Sequence, residues 1–169
     1  MTFEGRYFQL HEASLRTVVP PVPVWVASGG RQMFELTARY GSGWNMAGGG
    51  THPGTVQEKY DGFAAACRAV GRDIRDFDVC KMSFVGVATD AAGARAMLDE
   101  LATTRKTTPA ALTERMIVAT PDEIADRLRT FIDIGINHHI FSVSKSEQWP
   151  NYWDAVELVA REVIPRIRA

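Results

Sequence analysis

The sequence predicts an α/β fold built on a parallel sheet, and three observations carry that reading. Short apolar runs alternate with stretches of helical periodicity about four times along the chain, the order that parallel strands joined by right-handed helical crossovers produce. The first run, Val24-Trp25-Val26-Ala27-Ser28, is apolar almost throughout, as a strand covered on both faces would be. Helix signals fall where the alternation needs them, with Thr120-Pro121-Asp122-Glu123 as a start and Gly135 as a stop. Alternation alone does not choose between an open sheet and a closed barrel.

Taken in order, the chain opens irregularly, with an aromatic cluster at Phe3, Tyr7 and Phe8 followed by Pro20, Pro21 and Pro23. Proline fixes φ and offers no backbone donor, so this stretch is expected to be extended. The Val24–Ser28 strand runs into Gly29-Gly30 and then a helix whose Met33, Leu36, Thr37 and Tyr40 have the spacing of one buried face, with Gly41 as its stop. A short strand is expected around Gly43 to Ala47, then a glycine loop, Gly48-Gly49-Gly50. The next helix carries Val56, Tyr60, Phe63, Cys67 and Val70 and stops at Gly71. A strand from about Phe77 to Ala88 follows, and Thr89 or Asp90 caps a helix bearing Ala94, Met97, Leu98 and Leu101. Lys106 to Pro109 reads as loop, and Ala110 to Val118 fits either a helix or a strand. In the next helix, Thr120 and Glu123 form a capping box, Pro121 suits the first helical position, and Ile124, Leu128, Phe131 and Ile132 make the apolar face. A strand over Ile136–Val143 and a last helix with Tyr152, Val156, Val159 and Val163 complete the pattern. Pro165 is expected to kink or end that helix.

Length and composition fit a single domain over residues 1–169 with a sizeable core. Basic and acidic residues nearly balance, 19 against 20, and no basic block is present, so nucleic acid and anionic membrane surfaces are not expected partners. No apolar run approaches the roughly 18 residues of a membrane span. The first ten residues include Glu4, Arg6 and Gln9 and lack the apolar core of a signal peptide. Cys67 and Cys80 form neither a disulfide framework nor a metal spacing, and read as small buried hydrophobes in a reducing cytoplasm.

Several segments together resemble the luciferase-like monooxygenases. Phe3-Glu4-Gly5-Arg6-Tyr7-Phe8, the proline-rich stretch and Pro23-Val24-Trp25-Val26-Ala27-Ser28-Gly29-Gly30 are similar to that family's approach to its fifth barrel strand. Leu36-Thr37-Ala38-Arg39-Tyr40-Gly41-Ser42-Gly43-Trp44-Asn45 resembles the helix and strand that follow. Gly71-Arg72-Asp73, Val118-Ala119-Thr120-Pro121-Asp122-Glu123-Ile124 and Val163-Ile164-Pro165-Arg166-Ile167 match later landmarks in order. Ser42 departs from the family's usual Asp. The resemblance implies the second half of a (β/α)8 barrel: a complete one needs about 250 residues, and only the last four units are placed here. It also implies an oxidoreductase using FMN or the deazaflavin F420. Alanine-rich stretches such as Ala64-Ala65-Ala66, with their high-GC flavour, tilt that choice toward the deazaflavin. Four strands leave two open edges, so three arrangements are expected: the chain is a piece of a longer product, it pairs with a separate N-terminal half, or two copies close a barrel, with an oligomer favoured over a lone monomer. The other reading is a non-catalytic half-barrel that serves as a binding subunit.

The strongest local site is Ser28-Gly29-Gly30-Arg31-Gln32, where a strand end turns into a helix N-terminus. Free amides there favour an anion, and glycines let it approach. The resemblance implies that the coenzyme's ribityl phosphate sits at this turn, which makes Ser28, Gly29, Gly30, Gln32 and Met33 the candidate cofactor-binding residues. Trp44 is a further candidate beside the coenzyme's side chain, or plain core. Relatives that oxidise a sugar phosphate carry a threonine and a lysine where this chain has Ala47 and Gly50, so a sugar-phosphate substrate is disfavoured. His138 and His139 are adjacent in a strand and must face opposite ways, so they cannot share a metal. His11 and His52 fall in expected loops, His52 at the border of the substrate mouth, and Lys81 is expected at the barrel mouth or on an exposed strand face. No nucleophile–base pair and no metal cluster is legible.

Overall fold

A computed structural model describes residues 1–14, 22–46 and 50–168. Pro20 and Pro21 of the proline stretch, and Ala47, Gly48 and Gly49 of the glycine loop, lie outside the described residues. The chain begins with a small antiparallel hairpin, β1 (Phe3–Glu4) against β2 (Gln9–Leu10). The sheet follows: β3 (Trp25–Ala27), β4 (Gly43–Met46), β5 (Asp78–Val87), β6 (Met116–Ala119) and β7 (His138–Val143), with every pairing parallel. Its helices are α1 (Arg31–Tyr40), α2 (Pro53–Ala69), α3 (Ala91–Thr104), α4 (Pro109–Thr113), α5 (Pro121–Ile134) and a last helical run, α6, over 152–168.

The spine of the sheet is β5. The amides of Asp78 and Ala88 donate to Ser42 and Ala119, whereas the carbonyls of Val79 and Val85 accept from Asn137 and Ser144. Alternate residues of a parallel strand serve opposite edges, so β4 and β6 share one edge of β5, end to end, and β7 takes the other. The continuous sheet is therefore β3–β4–β5–β7, four strands as expected, with β6 added beyond the end of β4. The ambiguous segment before Val118 divides into α4 and β6. Among the described residues, the outer edges of β3 and β7 have no strand partner.

The two faces are packed differently. Trp44 (β4) meets Phe34 (α1) at 5.3 Å and Phe63 (α2) at 4.6 Å between ring centroids, and Phe63 meets Phe77 at 5.2 Å. Val79, Val85, Val87, Ile117, Ile124, Leu128 and Phe131 extend this helix-side core. On the opposite face, Trp25 lies over Gly43, where a Cβ would stand 2.6 Å from the indole. Its ring also reaches His138, 4.7 Å away edge-on, although β4 and β5 lie between their strands. Only a strongly curled sheet allows that contact, so this face is concave. At the far end of β5 a second core, with Met97 and Leu101 of α3, Leu112 of α4 and Met116 of β6, closes over the same face at Gly86.

Most helix signals operate as read. Thr120 and Glu123 make the reciprocal capping box of α5, Asp90 caps α3, and Gly135 takes the left-handed conformation at φ 117°. A Cβ at Gly135 would also fall 2.5 Å from the Tyr60 hydroxyl. Gly135→Ala is accordingly expected to destabilise the chain by about 2 kcal/mol, because positive φ penalises any side chain and Tyr60 must also move; the midpoint of urea denaturation measures it.

Two expectations need correction. In α1 the buried residues are Phe34, Thr37 and Ala38, while Met33, Leu36 and Tyr40 are 39%, 49% and 75% exposed. The helix turns Phe34, its aromatic without a hydroxyl, toward Trp44, which leaves Met33, Leu36 and Tyr40 facing outward. Pro165 neither ends nor breaks the last helix, which runs on to Arg168. The turn just before it, Val159–Val163, is a π-helix, and this wider hydrogen-bond spacing accommodates a residue with no donor of its own.

Candidate functional site

The Ser28–Met33 turn stands at the C-terminal end of β3 and opens α1. Gly30 is the N-cap residue, with extended φ −130° and no side-chain cap. Among the described residues no acceptor meets the amides of Gly30, Arg31, Gln32 or Met33, while the Gly30 carbonyl takes the first helical bond from Phe34 at 2.9 Å. Four donors and the positive end of a helix thus face outward together. Neither Gly29 nor Gly30 has positive φ, and a Cβ added at either would meet nothing within 4 Å. The fold itself makes no demand for glycine at these positions. What glycine leaves open is the approach to the amides, the space a phosphate oxygen needs. Gln32 is exposed, Met33 is 39% exposed, and the Arg31 side chain adds a cation at the rim, 3.3 Å from Glu35.

Two of the sequence-selected residues stand behind the turn. Ser28 is buried, with its amide bonded to the Asn45 carbonyl at 3.2 Å and its hydroxyl 3.3 Å from Thr37 Oγ1. Trp44 is fully buried on the helix side, where its Nε1 donates to the Ser28 carbonyl at 3.0 Å. Of the two readings open for Trp44, its packing is that of core: the ring lies against Phe34 and Phe63. The part played by Thr37 was not legible. Its one signal is a hydroxyl inside an otherwise apolar helix face.

Register identifies the rest of the concave wall near the strand ends as Ala27, Asn45, Met82, Phe84, Ile140 and Ser142. None of these titrates; Phe84 and Ile140 are exposed, and the Asn45 Oδ1 atom has no partner. His138 lies lower on this face, against Trp25, whereas His139 faces the helices, so the two histidines do point apart. Lys81 contradicts its expected position. It is 2% exposed and shares the helix-side face with Met46, its partner in register. Its Nζ donates to the Gly50 carbonyl at 2.9 Å and lies 5.1 Å from the Phe131 ring centre. Burial, and then the nearby Lys59 charge, pull its pKa down to about 8. Burial does the same to His139, with Lys81 adding to it, and brings that imidazole down to about 4. His52 is exposed ahead of α2, which its Nδ1 caps by accepting from the Gly54 amide at 3.1 Å. Both cysteines are free and buried, and burial raises the Cys67 thiol to about 11. Among the described residues no group of three or more acidic, histidine or cysteine side chains is arranged to hold a metal, and no helix is long and apolar enough to cross a membrane.

The luciferase-like monooxygenase family model matches residues 1–138. Among curated proteins, an F420-dependent glucose-6-phosphate dehydrogenase of Rhodococcus erythropolis is 26% identical over 195 residues, covering 99% of this chain and 55% of its own length. An F420-dependent hydroxymycolic acid dehydrogenase of Mycobacterium tuberculosis is 34% identical over 97 residues, 57% of this chain and 26% of its own. The solved structure of an F420-dependent secondary alcohol dehydrogenase matches with a TM-score of 0.77 at 21% identity, over 100% of this chain and 56% of its own. The EDTA monooxygenase of Chelativorans sp. BNC1 gives 0.71 at 18% identity, over 99% and 52%. The chain spans about half the length of the curated relatives it matches, and its fold is that of a half-barrel. With the family model covering 1–138 and the fold matched from end to end, the chain belongs to the luciferase-like monooxygenase family.

Proposed function

We propose that this chain is the phosphate-holding half of a luciferase-like oxidoreductase that uses FMN or F420 on a small organic substrate without a phosphate group. The observation that carries the reading is the open arc of amides after β3, free of side chains in front and sited at the strand ends. In this reading the amides of Gly30, Arg31, Gln32 and Met33 hold the coenzyme's phosphate, Gly29 leaves its approach open, and the Gln32 and Arg31 side chains stand at its rim. The bound coenzyme supplies the hydride or oxygen chemistry. The chain's own concave wall supplies shape: Met82, Phe84 and Ile140 offer an apolar, uncharged surface that would leave a phosphorylated substrate without a counter-charge. That agrees with Ala47 and Gly50 standing where sugar-phosphate oxidisers carry threonine and lysine.

More polypeptide completes the barrel in this reading: the rest of a longer product, a separate N-terminal half, or a second copy. Both outer sheet edges are unpaired among the described residues, and apolar side chains flank each: Val24, Leu36 and Tyr40 beside β3, Ile132 and Ile140 beside β7. The chain alone is expected to sediment as a dimer or larger at tens of micromolar, and Leu36→Asp to shift it toward monomer; a strictly monomeric wild type removes the self-pairing version. The absence of a titratable group among the described residues near the strand ends of the concave wall favours a second reading, a half-barrel that binds but does not catalyse. Visible spectra of FMN and F420 titrated with the chain, with and without a candidate N-terminal half, separate the two. A band shift with the mixture alone supports the split enzyme; a shift with the chain alone, unaccompanied by turnover in the mixture, supports the binding subunit. No perturbation of either coenzyme in any sample overturns both.

A further inference from the structure

We propose that Trp44 and Thr37, acting through Ser28, are positioning residues that hold the amide arc in its anion-binding shape, a proposal that rests on reading the turn as the phosphate seat. Every polar group of Ser28 is engaged. Its amide donates to Asn45, and its carbonyl accepts from Trp44 Nε1 at 3.0 Å. Thr37 gives its own proton to the Met33 carbonyl at 2.6 Å, so at the 3.3 Å contact the Ser28 hydroxyl is the donor and Thr37 the acceptor.

The consequence is geometric. Ser28 precedes Gly29, and Met33 carries the last free amide of the arc. Through Thr37 the two ends of the arc are tied to one another inside the protein, and through Trp44 they are tied to the neighbouring strand. Between them lies a Gly-Gly pair against which no side chain packs, since no atom stands within 4 Å of either Cβ position, and whose one further tie is the bond from the Phe34 amide to the Gly30 carbonyl. Two glycines in sequence have wide conformational freedom, and freedom lost on binding subtracts from affinity. Trp44 has a second effect: by occupying the Ser28 carbonyl it keeps that oxygen turned away from the side where an anion would sit. Thr37 and Trp44 are fully buried behind the turn and act on the seat through Ser28.

A purely structural role would change stability and affect all ligands alike. A positioning role changes only the advantage that a phosphate confers, so the measurement compares ligands with and without it: FMN against riboflavin, and F420 against its phosphate-free deazaflavin chromophore, by fluorescence titration of the full chain. Thr37→Val keeps the shape and removes both hydroxyl contacts. It should reduce the phosphate advantage about five- to tenfold and leave the phosphate-free ligands unchanged, and Thr37→Ser should restore the advantage. Trp44→Phe should act in the same direction; should it fold poorly, Thr37→Val with its serine rescue carries the test. If Gly29→Val abolishes the phosphate advantage while Thr37→Val and Trp44→Phe retain it, the positioning role is wrong and the reading of the turn stands. If the wild-type chain shows no phosphate advantage with either coenzyme, the reading of the turn fails and this proposal with it.

Discussion

Gly29→Val is expected to cost the phosphate-bearing coenzyme ten- to a hundredfold in affinity while leaving the fold as stable as before or slightly more so. The loss follows from the turn's open front. Valine places branched carbons in the space from which an anion reaches the amides, and forfeiting one charge-assisted hydrogen bond is worth about 1.5–3 kcal/mol. Stability should not fall with it. Gly29 does not occupy the left-handed region, and a Cβ there meets nothing within 4 Å, so the folded state accommodates the side chain. The unfolded chain loses backbone freedom when glycine is replaced, which favours folding by about 0.4–1 kcal/mol. This pairing of a large functional loss with unchanged or higher thermal stability is rare for a buried or strained glycine, and Gly135 supplies the contrast. Thermal melting and coenzyme titration of the same variant test both halves. Unchanged affinity removes the anion site; a fall in stability shows that the turn needs glycine for the fold after all.

Much of the architecture was legible because its signals are local. The Thr120–Glu123 capping box, the Gly135 stop and the Val56–Phe63–Cys67 stripe each depend on residues within a turn or two of one another, and each forms as read. The errors have a different physical origin. Helix α1 carries apolar side chains on two faces, and periodicity cannot say which one finds a partner; Phe34 wins because Trp44 and Phe63 wait on that side. Spared by Phe34, the Met33–Leu36–Tyr40 stripe faces out, where a further barrel unit would pack. Lys81 was misread because alternation along β5 does not reveal that both faces are covered over much of its length. At the candidate site, Gly29 and Gly30 were visible as a motif. The buried support from Trp44 and Thr37 was not, since it depends on a contact between two strands and a helix that only the fold brings together.

Lys81→Met is expected to raise stability near neutral pH, and the gain should vanish in alkali. The Lys81 ammonium lies inside the helix-side core with one carbonyl and an aromatic ring for company, and the charges that most affect it besides its own burial are Lys59, a like charge, and Cys80. Its pKa of about 8 in the folded chain lies below the ordinary lysine value of 10.5. Between those two values the unfolded chain holds a proton that the folded chain has released, so stability climbs as pH rises from 8 to 10.5, and the full penalty applies below 8. A shift of this size corresponds to about 3 kcal/mol at most. Methionine keeps the unbranched shape without the charge but leaves the Gly50 carbonyl to water, which reaches that partly exposed residue. The net gain at pH 7 should be about 1–2 kcal/mol, or roughly 3–6 °C in melting temperature, shrinking to nothing near pH 10.5. His139 reports on the same change from the acid side. Held down to about 4 by burial and then by the Lys81 charge, it lowers stability as pH falls from 6.5 toward 4. With the ammonium gone its pKa should move upward, though burial keeps it below the free value, and imidazole proton shifts followed by NMR would record the move. A variant less stable than wild type at pH 7 would mean that the bond from Lys81 to Gly50 outweighs the cost of its buried charge, and that the lysine fastens the chain between β4 and α2 to the sheet.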